Sequence, residues 1–321
     1  MEIKIFEIMT FEQIVERFVS YPKQLNRGAG FLARGWHVDV DSVRTARKMA
    51  KKILANKAEK PSHKMPKILL LDTETAPMQA YVWGLWKQNI AFDHTTAQWF
   101  MLCWSAKWLY SDYTYHNRLT PAEALNEDDS RIMESLWHLM DEADIIVAHN
   151  LKGADLPWIN TRFILNGLKP PKPFHLIDTL EVARKQFAFS SNKLDALAMY
   201  FGIEQKMETD FDLWRKCLNG DDEALKYMQE YNIKDVDILE QVFIKLMPWI
   251  KNFPNANVLL SSDVPICATC GSEDIELIPG EYYYTSVGKY PLYRCKKCGA
   301  ISRGRKSVLK PSKVQLTSIA R

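Results

Sequence analysis

Residues 67–75 read KILLLDTET, and no other stretch restricts the fold of this chain as strongly. The unbroken apolar run from Ile68 to Leu71 marks a short strand buried on both faces. Asp72 and Glu74 follow at strand period, so both carboxylates leave the backbone on the same side. Two acids at the end of a buried strand repel each other and lose solvation, and a cation between them removes both costs. The plain alternative is a strand end that frays into solvent. Further carboxylates elsewhere in the chain decide between the two.

Hydrophobic residues at 47% and charged residues at 25% of 321 describe a globular domain with smaller attachments. No apolar run approaches a membrane span. The first residues, MEIKIFEIMTFEQ, carry acids where a signal peptide is basic and then apolar, so the expected location is cytoplasmic (the host cytoplasm for a phage-encoded chain). Net charge is only +3, yet basic residues concentrate between Arg44 and Lys67 and after Arg294. Such patches suit a polyanion at defined sites, although a charge run is by itself only a solvated face.

Thr10–Gln13 fits a capping box, and Phe11, Ile14, Val15, Phe18 and Val19 follow at helical spacing until Tyr21-Pro22. Two further helices are expected over 28–56. Leu32 and Ala33 lie on the first, Val38 in the turn, and Val43 and Ala46 on the second, with Asp39 or Asp41 as its cap. This spacing resembles a DNA-binding helix-turn-helix, whose second helix would present Arg44, Arg47 and Lys48 to a groove. A three-helix cap with a merely soluble basic face has the same pattern. Residues 1–54 are therefore read as a helical, helix-turn-helix-like module and 55–66 as a linker.

From about Lys67 to Pro254, early strands give way to alternating strands and helices, the pattern of an α/β domain with a mixed sheet under helices. Strands are expected near 98–108, 113–116, 143–149 and 176–178. Helices are expected near 130–140, 156–165, 180–187, 194–201 and 222–246. After the strand ADIIVAH comes Asn150-Leu151-Lys152-Gly153-Ala154-Asp155, a loop with an acid where a helix should start, as a plain cap also places it. Far along the chain, Tyr231 and Asp235 stand four residues apart on one helix face, with Met228, Ile238, Leu239 and Val242 as its apolar contacts.

Taken together, these stretches resemble the DEDD superfamily of 3′–5′ exonucleases. The first motif matches at Asp72-x-Glu74, the second at Asn150 to Asp155, and the third at Tyr231-x-x-x-Asp235. The tyrosine places the likeness in the tyrosine subclass. It extends to the proofreading domains of family B DNA polymerases and to stand-alone phage exonucleases, through segments such as YVWGLWKQNI, LCWSAKW and IDTLEVARK. One departure is Ala154, where the family usually has an aromatic before the second-motif acid.

The resemblance implies an RNase H-like mixed five-stranded sheet with flanking helices. It also implies two catalytic Mg²⁺ or Mn²⁺ ions held by Asp72, Glu74, Asp155 and Asp235, with the Tyr231 hydroxyl orienting the attacking water. Carboxylates suit such hard cations, and paired ions suit phosphodiester cleavage. The expected reaction removes nucleoside monophosphates from DNA 3′ ends, in replication, repair or degradation. The expected partners are single-stranded DNA or 3′ ends, RNA as the other nucleic acid, and a DNA polymerase or other replication protein. No membrane is expected. The alternatives are an exoribonuclease and a non-catalytic DNA-binding accessory protein. Trp83, Trp86 and Trp99 are candidates for base stacking, while Asn150, Asn192 and Lys193 are candidates for phosphate contact. His149 is read as a packed residue.

Cys267-x-x-Cys270 and Cys295-x-x-Cys298, each followed by Gly, have the spacing of two zinc knuckles and imply one structural Zn²⁺ in a ribbon over 255–302. Disulfides do not suit the expected compartment. Cys103 and Cys217 read as buried and incidental. The tail 303–321 is basic without an acid, and Arg303, Arg305 and Lys306 are candidates for nucleic-acid backbone contact.

Overall fold

The computed structural model describes residues 14–15, 17–18, 25–36, 38–58, 65–150, 153, 155–203 and 207–309, which fall into two units, Met1–His63 and Lys64–Arg321. The expected capping box at 10–13, Ala154 of the second motif and the tail from 310 onward lie outside the described residues.

The first unit contains helices Ala29–Trp36 and Val40–Ala58. Leu32, Ala33, Val43 and Ala46 are buried together with Ile14 and Phe18, as their spacing predicts. Asp39 is the capping acid, accepting from the Ser42 N–H at 2.7 Å. The second helix continues to Ala58, past the expected linker start at 55, because Ala55-Asn56-Lys57-Ala58 contains no breaker. Arg47 is not aimed outward: it donates to the Arg27 carbonyl at 2.5 Å and lies over the Phe18 ring at 5.6 Å. Arg44 is exposed and paired with Asp41, and Lys48 is exposed.

The second unit is built on a five-stranded sheet. Its strands are β1 (Ile68–Thr75), β4 (Met101–Trp108), β5 (Thr114–Arg118), β6 (Ile145–Ala148) and β7 (His175–Asp178), in the order β5-β4-β1-β6-β7. β4 pairs antiparallel with β1 and β5, whereas β6 pairs parallel with β1 and β7. A two-stranded hairpin, β2 (Gln79–Ala80) and β3 (Thr95–Ala97), interrupts the chain between β1 and β4.

β1 is the central strand, and its alternation divides the core. Leu69 and Leu71 face a cluster with Ile132, Leu136, Ile159 and Phe163, from helices Ser130–Glu142 and Asp155–Leu165. Ile68 and Leu70 face the other side with Val236, Leu239, Val242 and Leu246, from helix Asp222–Leu246. Each such side chain contributes about 1.5–3 kcal/mol by leaving water, which is why a strand this short can anchor two helical layers. The long helix starts where Asp221 accepts from the Glu223 and Ala224 N–H groups. Helix Phe211–Leu218, capped by Asp210, was not expected from the sequence. No described helix is long and apolar enough to cross a membrane.

A second sheet of three strands, β8 (Ile275–Tyr284), β9 (Lys289–Cys295) and β10 (Ile301–Arg303), follows in the order β10-β9-β8. It carries the cysteine pairs. The architecture is thus an RNase H-like α/β fold with a cysteine cluster near its C-terminal end.

Candidate active site

Pairing in the sheet sets Asp72 opposite Ser105 and Glu74 opposite Cys103, so both acids sit at the end of β1 where burial lessens. The long helix packs over that same face and brings Asp235, which is 3% exposed. Carboxylate oxygens of Asp72, Glu74 and Asp235 all lie within 4.8 Å of one another. Ligands on opposite sides of a six-coordinate Mg²⁺ stand about 4.2 Å apart, twice the ~2.1 Å metal–oxygen distance, so three acids gathered this closely could hold one hard cation. Their negative charge is felt nearby. Burial, then Glu74 and Asp72, push the Cys103 thiol well above its ordinary pKa, so this cysteine stays neutral.

Asn232 completes the arrangement and was not anticipated. It is fully buried one residue after Tyr231, and its Nδ2 donates to Asp72 Oδ2 at 2.7 Å. The sequence signal was a polar residue one turn before Asp235, on the face that also carries apolar anchors. Tyr231 is half-buried and packs against the cluster on Leu69 and Leu71.

The expected fourth acid is held differently. Asp155 opens its helix, is 8% exposed, and accepts from Thr73 Oγ1 at 2.7 Å. Thr73 alternates with Asp72 and Glu74 along β1, so Asp155 meets the strand beside the three-acid cluster and is not part of it. Burial raises its pKa to about 6 against the opposing Thr73 hydrogen bond, with the Asp178 charge adding to the rise.

Asn150 sits in the left-handed region (φ 70°), and its N–H donates to Asp178 Oδ1 at 3.0 Å. A Cβ at Gly153 would come within 3.0 Å of the Asn150 side chain, so glycine permits this turn. Asn150, Asn192 and Lys193 line one open cleft of about 470 Å³, together with Arg184 and His149. His149 is oriented by Thr179, with Nδ1 and Oγ1 2.9 Å apart. Trp83 and Trp86 are almost fully exposed in the segment joining β2 to β3, whereas Trp99 packs on Trp158 at 5.7 Å.

The four cysteine sulfurs also converge, with Cys267–Cys298 at 3.7 Å and Cys270–Cys295 at 3.6 Å. A tetrahedron of sulfurs at ~2.3 Å from zinc has edges of about 3.8 Å, whereas a disulfide needs about 2.05 Å. Gly271 and Gly299 adopt positive φ and donate their N–H groups to the Cys267 and Cys295 carbonyls, closing both knuckles. This donor set is compatible with zinc. Arg303, Arg305 and Lys306 are exposed just beyond it.

No curated relative matches the chain. The family B DNA polymerase of the hyperthermophilic archaeon Pyrobaculum calidifontis is similar at 15% identity and a TM-score of 0.45, over 61% of this chain. The chain corresponds to 27% of that polymerase's length. Residues 106–247 match the family model of the RNase H superfamily, a span that takes in Asp155, Tyr231 and Asp235 and begins after Asp72 and Glu74. With its sheet of three antiparallel strands extended by two parallel ones, the central domain is RNase H-like in fold.

Proposed function

We propose that this chain is a metal-dependent 3′–5′ exonuclease acting on DNA, with Asp72, Glu74 and Asp235 as the primary cation ligands. The observation that carries the reading is the meeting of those three carboxylates at the end of the central strand. Bound divalent cations supply charge neutralisation at the scissile phosphate and acidify an attacking water. Asn232 fixes the Asp72 carboxylate, so its other oxygen keeps one direction. Asp155, whose Oδ1 accepts from Thr73, would serve as a ligand to a second cation, and the Tyr231 hydroxyl would orient the water. The cleft bounded by Asn150, Asn192, Lys193 and Arg184 offers amides and cations for the backbone of the entering strand. The four cysteines hold one structural Zn²⁺.

The test is digestion of a 5′-labelled single strand with Mg²⁺ or Mn²⁺. The expected result is stepwise shortening from the 3′ end with nucleoside monophosphates as product, lost in Asp72→Ala and Asp235→Ala while strand binding persists. Wild-type-like degradation by both variants sinks the reading, as does binding without turnover in the wild type, which would leave an accessory protein. A matched RNA strand in the same assay assigns the sugar preference.

A further inference from the structure

The three-stranded sheet carries more than its cysteine knuckles. Ile275, Cys295, Cys298 and Ala300 pack in the cluster that includes Leu246 and Met247 of the long helix's end. The opposite end of the same sheet contributes to none of the described hydrophobic clusters, yet it bears Tyr282, Tyr283, Tyr284 and Tyr290. Rings on a sheet that covers no core need another reason to be there.

Register sorts these residues by face. Tyr283 pairs with Tyr290, Leu292 with Arg303, and Arg294 with Ile301. Directly opposed residues share a face, and so do alternate residues of β9, so Tyr283, Tyr290, Arg303 and Arg294 all point the same way. The Arg303 guanidinium lies 4.4 Å from the Tyr290 ring centroid and 5.6 Å from that of Tyr283. Tyr283 is half-exposed, and Arg294 and Arg303 are exposed. Lys289 covers Tyr282 at 3.8 Å on the reverse face. From Tyr282 to Leu309 the chain contains basic residues and no acid.

Glu276, opposite Arg294 on this face, pairs with Lys296 at 3.3 Å. Tyrosine rings interleaved with guanidinium planes match a ligand that offers a flat ring and an anionic group at every repeat. Single-stranded nucleic acid has that chemistry, since every base has a stacking face and every link a phosphate. We infer that the Tyr283–Tyr290–Arg303 face is a second nucleic-acid site, stacking unpaired bases on the two tyrosines and holding phosphates with Arg294 and Arg303. It stands on its own, independent of what the carboxylate cluster does.

The test is fluorescence anisotropy of the full chain with fluorescein-labelled oligothymidylate and no added divalent metal, so cleavage does not enter. Tyr290→Ala is expected to weaken binding about tenfold, as for the loss of one stacked base. Tyr290→Phe is expected to bind as wild type, and Tyr284→Ala on the reverse face to leave affinity unchanged. Arg303→Glu is expected to weaken binding and flatten its salt dependence. Zinc content per chain reports whether each variant keeps its knuckles. Should Tyr290→Ala lose zinc, the exposed Arg303→Glu and Arg294→Glu changes carry the test. Unchanged affinity in the zinc-retaining variants overturns the inference. Competition by poly-glutamate as effective as by unlabelled oligothymidylate also overturns it, showing a charge-only surface for acidic polypeptides.

Discussion

Asn232 Nδ2 donates to Asp72 Oδ2 across 2.7 Å, joining the long helix to the end of the central strand through two side chains 160 positions apart. The donor is fully buried, so the bond is shielded from water and holds the carboxylate in one rotamer. Replacing Asn232 with Ala is expected to raise the Mn²⁺ concentration needed for half-maximal activity and to lower turnover, together about 10–100-fold. Titrating metal against nuclease rate checks this. An unchanged metal dependence would mean that Asp72 needs no such support.

Asp129 is fully buried and accepts from Arg162 Nε and Nη2 at 2.5 and 2.7 Å, from Asn166 at 2.8 Å, and from the Met101 N–H at 2.9 Å. The network fastens the helix that begins at Asp155 to the first residue of β4. Arg162→Ala leaves a buried carboxylate without its cation, which typically costs about 3–5 kcal/mol. Urea unfolding at neutral pH should show that loss, whereas Asp129→Asn paired with Arg162→Met should recover part of it.

Arg131 binds Glu123 through Nε at 2.7 Å and lowers the Glu123 pKa to about 2, helped by the Thr120 capping bonds against a smaller desolvation. The folded-state pKa lies below the ordinary 4.5, so the folded form binds fewer protons between those values. The stabilisation is therefore complete above about pH 4.5 and is lost as pH falls toward 2. Arg131 is partly exposed and screened, which limits the effect to about 1 kcal/mol. In Arg131→Met, the acid-side slope of stability should flatten over that window, as measured by denaturant titration at several pH values.

Zinc removal should act beyond the ribbon. Cys267, Cys270 and Cys295 share a hydrophobic cluster with Leu246 and Met247, and Lys297 lies over the Tyr110 ring at 4.9 Å. Structural zinc sites contribute folding free energy directly, and their apo forms are commonly unfolded. Cys270→Ala is expected to lower zinc from one ion per chain to none. It should also speed amide exchange in β8–β10 and around the long helix's C-terminal turn, while amides of β1 remain protected. Full zinc occupancy in that variant would count against four-sulfur coordination.

Periodicity and spacing determined much of this protein. The run Ile68–Leu71, the helix over 222–246 and the two Cys-x-x-Cys pairs are legible because strand period, helical period and knuckle spacing are local properties, set by neighbours on the same segment. Strand period singled out Asp72 and Glu74, and the resemblance to the DEDD exonucleases added Asp235, but neither gave the distance between them. What only the tertiary structure decided is which groups meet across segments. Asn232 found Asp72, Asp155 took the Thr73 hydroxyl and stayed out of the three-acid cluster, and Arg47 turned onto Phe18 and away from solvent. Helix Phe211–Leu218 was missed for the same reason, since its stability comes from Leu213 and Cys217 packing into a core assembled elsewhere. Side-chain partners separated by tens of residues depend on how sheet and helices pack. Burial then selects, among the polar contacts within reach, those that leave the fewest charges without compensation.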